Sequence, residues 1–230
     1  MSRRATTERG APRRRTRRGQ GAATSAATAP TASKKADGLQ LYDATGARKY
    51  VTADERRRFL EAAERAPREA RTLCLVLTYS GCRLSEALGL TADRVDLTGG
   101  MIVLETLKKR RTGVYRGVPL PGRVLEAIDL VHGVRELQRK RRRGRDVRLW
   151  PVSRTTAWRR VAEVLDAAGI EGPQSSPKGL RHGFGVQAVS SGVPLNLVQR
   201  WLGHAQLSTT AIYADAVGAE ELGFMEKMWR

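Results

Sequence analysis

The sequence predicts an α+β chain, mainly α, with one small antiparallel β-sheet. Three observations carry that expectation. From Thr52 onward apolar residues recur at helical spacing, with capping residues ahead of each run and glycines behind it. Only one pair of short strand-like runs stands out, Met101 to Glu105 and Val114 to Val118, joined by a basic loop that contains Gly113. Hydrophobic residues make up 40% of the 230 residues and charged residues 28%, enough for a real core over most of the chain.

The elements follow in order. Thr52-Ala-Asp-Glu55 has the spacing of a capping box, and Phe59, Leu60 and Ala63 continue it at helical intervals. Pro67 restarts the helix. This second helix carries Leu73, Leu75, Val76, Leu77 and Tyr79, apolar on most sides and therefore central, and Gly81 ends it. Arg83 opens a short third helix. Asp96 to Gly100 reads as a turn into the strand pair. Past Pro121 the pattern is helical to about Lys140, and the run Arg139 to Arg148, with seven basic residues around Gly144, breaks it. After the N-cap Ser153 the remainder reads as helices of roughly 12 to 16 residues, separated by Gly169 to Pro177, Gly192 to Pro194, Gly203 and Gly218. Leu197, Val198, Trp201 and Leu202 are spaced as one buried face, and Cys74 and Cys82 suit small apolar fillers. No repeat is visible.

Charge separates the ends of the chain. The sequence holds 42 basic and 23 acidic residues, a net charge of +19. Residues 1–38 contain no Val, Ile, Leu, Phe, Trp or Tyr and carry ten basic residues against Glu8 and Asp37. Such a segment cannot bury a core, so a disordered basic tail that clings to nucleic acid is expected over 1–38. Residues 39–230 are expected as one domain, and their 32 basic and 21 acidic residues still leave +11. A polyanion is the partner this balance favours. The longest apolar run, Leu73 to Leu77, falls far short of the roughly 18 residues a membrane span needs. Neither cysteine lies in a metal-type Cys/His cluster, which points to a reducing cytoplasm and no structural metal.

Four stretches combine cations, imidazoles or a phenol with helix-packing motifs: TYSGCRLSEALGL around Arg83, ETLKKRRTGVYRGVPLP around Lys108, SPKGLRHGFG around Arg181, and WLGHAQLSTTAIYADA around His204 and Tyr213. Two arginines, one or two lysines, a histidine and a tyrosine suffice for attack on a phosphodiester without a metal. Guanidiniums stay charged and clamp non-bridging oxygens with fork geometry as charge gathers there. A phenol with an ordinary pKa near 10 needs cations or a proton acceptor before it attacks. A lysine aimed at the departing oxygen supplies its proton.

These four motifs, in this order from about Tyr50 to Ala216, resemble the catalytic domain of the tyrosine recombinases, the phage-integrase-like DNA strand-exchange enzymes. The resemblance implies that family's helical fold with a small antiparallel sheet over 39–230. It implies Arg83 and Arg181 as the phosphate clamp, with Glu86 orienting Arg83, and Lys108 as the general acid, Lys109 being the adjacent alternative. It implies His204 as the assisting histidine and Tyr213 as the nucleophile that forms a 3′-phosphotyrosyl link. No cofactor and no metal are implied. The expected partner is double-stranded DNA, gripped by four protomers on two sites. A bacterial, phage-borne or plasmid-borne protein on the nucleoid would fit.

Two departures qualify the resemblance. Lys178 stands where the family usually has a histidine, three residues before Arg181, so it is assigned to phosphate contact or proton shuttling. His182 is read as a structural contact. Full-length relatives also carry an N-terminal helical domain of roughly a hundred residues, where this chain has only its basic tail. Lys109, Arg110, Arg111, Arg141, Arg142, Arg143, Arg159 and Arg160 are the expected additional phosphate contacts. The rivals are a type IB topoisomerase-like enzyme and a catalytically silent DNA-binding protein. The C-terminal segment 219–230, with Leu222, Met225 and Met228 or Trp229 on one side, suits either its own domain or a neighbouring protomer.

Overall fold

A computed structural model describes residues 40–106, 113–140, 146–215 and the three residues 225, 226 and 228. The tail over 1–38, the loop cations Lys108, Lys109, Arg110 and Arg111, and Arg141, Arg142 and Arg143 lie outside the described residues, as does most of 219–230.

Helix α1 (Ala53–Glu64) starts at the expected capping box: Thr52 Oγ1 accepts from the Glu55 amide and Glu55 Oε2 accepts from the Thr52 amide. Its inward residues are Phe59, Ala62 and Ala63. Helix α2 (Arg68–Ser80) is buried nearly all round because its apolar residues surround the axis. Burying Leu73, Leu75, Val76 and Leu77 is worth roughly 1.5–3 kcal/mol each, which makes α2 the organising helix. It ends on Gly81 in the left-handed region at φ 60°. A Cβ there would sit 2.4 Å from the Phe184 ring, so only glycine lets this turn close against the neighbouring helix.

Arg83 N-caps α3 (Leu84–Leu88). A 3-10 turn, Ala92–Arg94, leads into β1 (Val95–Asp96), β2 (Met101–Glu105) and β3 (Tyr115–Pro119). All pairings are antiparallel in the order β1-β2-β3, with Met101 opposite Pro119 and Glu105 opposite Tyr115. The sheet therefore has one strand more than expected, since two residues are too few to show a period, and β3 lies one residue later than Val114 to Val118. Ile102, Leu104 and Val118 face the core, and so does Arg116, a cation at an apolar register position.

The single helix expected from Pro121 to about Lys140 is two helices, α4 (Gly122–His132) and α5 (Val134–Arg139). Gly133, at φ 62°, breaks them, and Asp129 stitches the break: its carbonyl accepts from the Gly133 amide and its carboxylate from the Arg135 amide at 2.8 Å. A lone glycine in a helical pattern is usually tolerated, which is why the pattern concealed the break. Ser153 caps α6 (Arg154–Ala167), accepting from the Thr156 amide.

The last helices are α7 (Pro177–Ser190), α8 (Leu195–Leu202) and α9 (Ser208–Ala211), followed by a 3-10 turn, Ile212–Asp215. Helix α7 has the expected length, whereas α8 has eight residues and α9 four, because Pro194 and Gly203 bound α8 closely. Val198 and Leu202 are fully buried, but Leu197 and Trp201 are only half-buried, so the expected four-residue face narrows to two. The main core joins α1 to α6 and the sheet. A second cluster gathers Leu41, Tyr50, Val186, Ala188, Val198, Leu202 and Tyr213, and α7 runs between the two, against α2 on one side and the Tyr213 turn on the other. Cys74 and Cys82 are buried free thiols, pushed up by burial to about 12 and about 11, as suits inert fillers. Among the described residues no helix is long and apolar enough to cross a membrane.

Candidate active site

Four turns converge on one cavity of about 370 Å³: the starts of α3 and α7, the turn after α8, and the 3-10 turn Ile212–Asp215. Arg83, Lys178, Arg181, His182, His204 and Tyr213 all line it. Arg154, the first residue of α6, adds a fourth cation, and no carboxylate lines the cavity among the described residues. The space therefore suits an anion.

Arg83 is held at its base. Its amide donates to Glu86 Oε2 at 2.9 Å and its Nη1 to Glu86 Oε1 at 2.8 Å, while its side chain stays 43% exposed. Glu86 thus orients Arg83, and a second arginine completes the arrangement. Arg116, from the inner face of β3, donates to Glu86 Oε2 at 2.6 Å, to Thr106 Oγ1 at 2.9 Å and to the Trp201 carbonyl at 2.8 Å. Burial alone would raise the Glu86 carboxyl, but the Arg116 hydrogen bond and charge, then the Arg83 amide and charge, hold it below the ordinary carboxylate range. The group stays an anion between two cations.

Arg181 is almost fully buried, and its two terminal nitrogens donate to the carbonyls of Gly81 and Leu202, each at 2.8 Å. It ties the end of α2 to the end of α8. Burial, with Arg83 nearby, pushes it down to about 10, which leaves it charged at neutral pH. Lys178 occupies the first turn of α7 on the same cavity. Partial burial and then Lys49 lower its ammonium pKa.

His204 follows the cap of α8. Its Nδ1 lies 2.9 Å from Thr210 Oγ1, and its ring is stacked parallel to that of Tyr213, with centroids 6.1 Å apart. Burial first, then Arg181 and Arg83, push it down to about 3, so it is neutral. A threonine hydroxyl donates or accepts, so this contact holds the ring in place, and His204 lines the cavity. Tyr213 is 2% exposed, and burial raises its phenol despite Arg181 and Arg83. A Cβ on Gly185 would lie 2.5 Å from the Tyr213 ring, so α7 leaves a glycine-sized notch in which the ring sits.

The phenol oxygen lies 3.3 Å from Nδ1 of His182. His182, expected as a structural contact, lines the same cavity as Arg181, because Tyr213 packs across the flank of α7 that His182 occupies. Burial, then Lys178, Arg181 and Lys49, push His182 down to about 4, so this imidazole is neutral as well. Arg154 and Arg116 were also missed. Strand alternation was the one available signal for Arg116, which falls on the inward register with Val118. Arg159 and Arg160 do not reach the cavity. Arg160 turns to Glu69 at 3.3 Å and Arg159 lies 3.9 Å from Glu163. Among the described residues no group of three His, Cys, Asp or Glu is placed to hold a metal ion.

A helical body with a three-stranded sheet, closed around an electropositive cavity, defines a tyrosine recombinase catalytic domain. The chain belongs to the phage integrase family, which it matches over residues 49–219. It is 36% identical over 149 residues to tyrosine recombinase XerD of Mycobacterium tuberculosis, covering 60% of this chain and 45% of that one. It is 32% identical over 170 residues to tyrosine recombinase XerA of Thermococcus onnurineus, covering 72% and 57%. The chain thus spans about half the length of these relatives. The crystal structure of XerA recombinase superposes with a TM-score of 0.63 at 26% identity, over 79% of this chain and 65% of that one. XerH site-specific recombinase bound to its difH substrate shares the fold at 22% identity, with a TM-score of 0.61 over 82% and 60%.

Proposed function

We propose that this chain is a DNA strand transferase of the site-specific recombinase class. The observation that carries the reading is the convergence of Arg83, Lys178, Arg181, His204 and Tyr213 on one electropositive cavity. A scissile phosphate seated there takes hydrogen bonds from Arg83 and Arg181, with Lys178 as a further donor and His204 beside it. Tyr213 attacks phosphorus and the 5′-oxygen leaves, so a 3′-phosphotyrosyl link replaces the phosphodiester. Lys108 gives the leaving oxygen its proton, with Lys109 as the alternative. A 5′-hydroxyl from another strand then reverses the exchange, and the link conserves the bond energy throughout.

Double-stranded DNA is the substrate, and four protomers on two sites form the working assembly. Arg110, Arg111, Arg141, Arg142, Arg143, Arg159, Arg160 and the tail over 1–38 add phosphate contacts that carry no sequence information. The setting is a bacterial, phage-borne or plasmid-borne protein on the nucleoid. Deleting residues 1–38 is expected to flatten the salt dependence of DNA binding, and an unchanged slope would remove the tail from the interface.

The test is covalent trapping. The protein and its Tyr213→Phe variant are incubated with nicked suicide duplexes tiled across the flanks of its own gene, and denaturant-resistant protein–DNA bands are sought. A band that depends on Tyr213 is expected. Binding without a band would favour a silent DNA-binding protein, and relaxation of supercoiled plasmid without strand exchange would favour a topoisomerase.

A further inference from the structure

We propose that His182 is the proton acceptor for Tyr213: its Nδ1 takes the phenolic proton as the nucleophile attacks. The inference rests on the function proposed above and assigns a step that Lys178 is poorly suited to perform.

The geometry is specific. Tyr213 Oη has one hydrogen-bond partner among the described side chains, His182 Nδ1 at 3.3 Å, and both residues are buried. A phenol is a strong donor and a weak acceptor, whereas a neutral imidazole nitrogen is a strong acceptor, so the pair runs from O–H to N. That arrangement assigns the imidazole proton to Nε2, which is buried without a partner. Lys178, one turn back along α7, ends in an ammonium, a donor with no lone pair until it loses a proton. The proton therefore has a neutral acceptor already in contact.

The surroundings set when that acceptor acts. Lys178 and Arg181 face His182 from its own helix, Lys49 from the segment before α1, and His204 and Tyr213 from the C-terminal turns. Without DNA, burial first and then these cations keep the imidazole unprotonated. A phosphate bound by Arg83, Arg181 and Lys178 offsets their field at the moment a base is needed. As the Oη–phosphorus bond forms and the phosphorus–O5′ bond breaks, the phenolic proton passes to Nδ1 while Lys108 protonates the 5′-oxygen. In rejoining, the 5′-hydroxyl returns its proton to that lysine and His182 returns its own to the departing Tyr213 oxygen.

Single-turnover adduct formation on a suicide duplex tests the step in the wild type, His182→Asn and His182→Ala. Asparagine keeps a hydrogen-bonding oxygen near the Nδ1 position but cannot take a proton. A fall of about a hundredfold or more is expected in His182→Asn with DNA affinity unchanged. Its rate should climb with pH as the phenol ionises by itself, and added imidazole should restore part of the rate in His182→Ala. A wild-type adduct with an unchanged rate in His182→Asn overturns this inference alone. No adduct in the wild type overturns the proposed function and this inference with it. Nitrogen-15 NMR of the intact chain reads the pair without DNA or substitution: an unprotonated Nδ1 is expected, and an Nδ1–H tautomer overturns the proposal.

Discussion

Arg116 donates to Glu86 at 2.6 Å between side chains that are 5% and 0% exposed, thirty positions apart in the chain. One end of this pair sits on the sheet, and the other holds Arg83 in place. The two arginines share one carboxylate, so β3 and Arg83, proposed above as a phosphate clamp, are anchored at the same point.

Removing Arg116 leaves a buried carboxylate short of its main partner. Arg116→Met is expected to destabilise the fold by about 3–5 kcal/mol, as broken buried pairs do. Combining it with Glu86→Gln should cost less than the sum of the single variants, because the orphaned charge is gone. Urea unfolding of the four proteins measures this, and additive losses would show that the pair is not coupled.

Gly185→Ala tests the notch under the Tyr213 ring. The added Cβ would stand 2.5 Å from the ring, closer than any real contact, so the ring must shift. Expected are a cost of about 1–3 kcal/mol from overpacking, intact DNA binding and a severe loss of covalent adduct. A normal adduct yield would mean that the ring position at rest is not the reactive one.

The two arginines proposed as the clamp should fail differently. Arg83 is partly exposed, and Glu86 keeps Arg116 when Arg83 is lost, so Arg83→Ala should slow cleavage with little change in unfolding free energy. Arg181→Ala removes the donors to Gly81 and Leu202 and should weaken the fold by about 1–3 kcal/mol for each buried carbonyl left bare, in addition to its effect on cleavage. Single-turnover rates set beside urea midpoints separate the two. Equal stability losses would contradict the assignment.

Acid sensitivity has a traceable contributor in Glu55. Burial works to raise this carboxyl, but hydrogen bonds from Arg48, the Thr52 amide and Gln174 outweigh it and hold the group at about 2. A depressed folded-state pKa stabilises above the unfolded value near 4.5 and loses that contribution as pH falls towards about 2. The stability gap between wild type and Glu55→Gln should therefore be full at pH 6 and shrink across that window. Urea melts at several pH values check it, and a constant gap would remove Glu55 from the acid response.

Much of this was legible in the chain. The capping box at Thr52 and Glu55, the stop at Gly81, the cap at Ser153 and the apolar run Met101 to Glu105 are local signals, set by neighbours a few residues away, and each lies where the sequence places it. The short β1 and the break at Gly133 escaped notice because two residues show no period and one glycine in a helix is usually tolerated. In the site, motif spacing marked Arg83, Arg181, His204 and Tyr213, and all four line one cavity. Arg160 was marked for its charge, whereas its ion pair with Glu69 of the second helix, ninety-one positions back, had no local signal.

By itself, then, the sequence determined the helical class, the order of the elements and the candidate groups for chemistry, because capping, periodicity and turn preferences act over a few residues. Tertiary packing decided what those groups are. It turned Arg116 inward to Glu86, thirty positions back, and brought His182 against Tyr213, thirty-one positions on. It also made both site histidines neutral by burying them among arginines and lysines. Desolvation and long-range contact depend on every element packed around a side chain, and no stretch of sequence contains that sum.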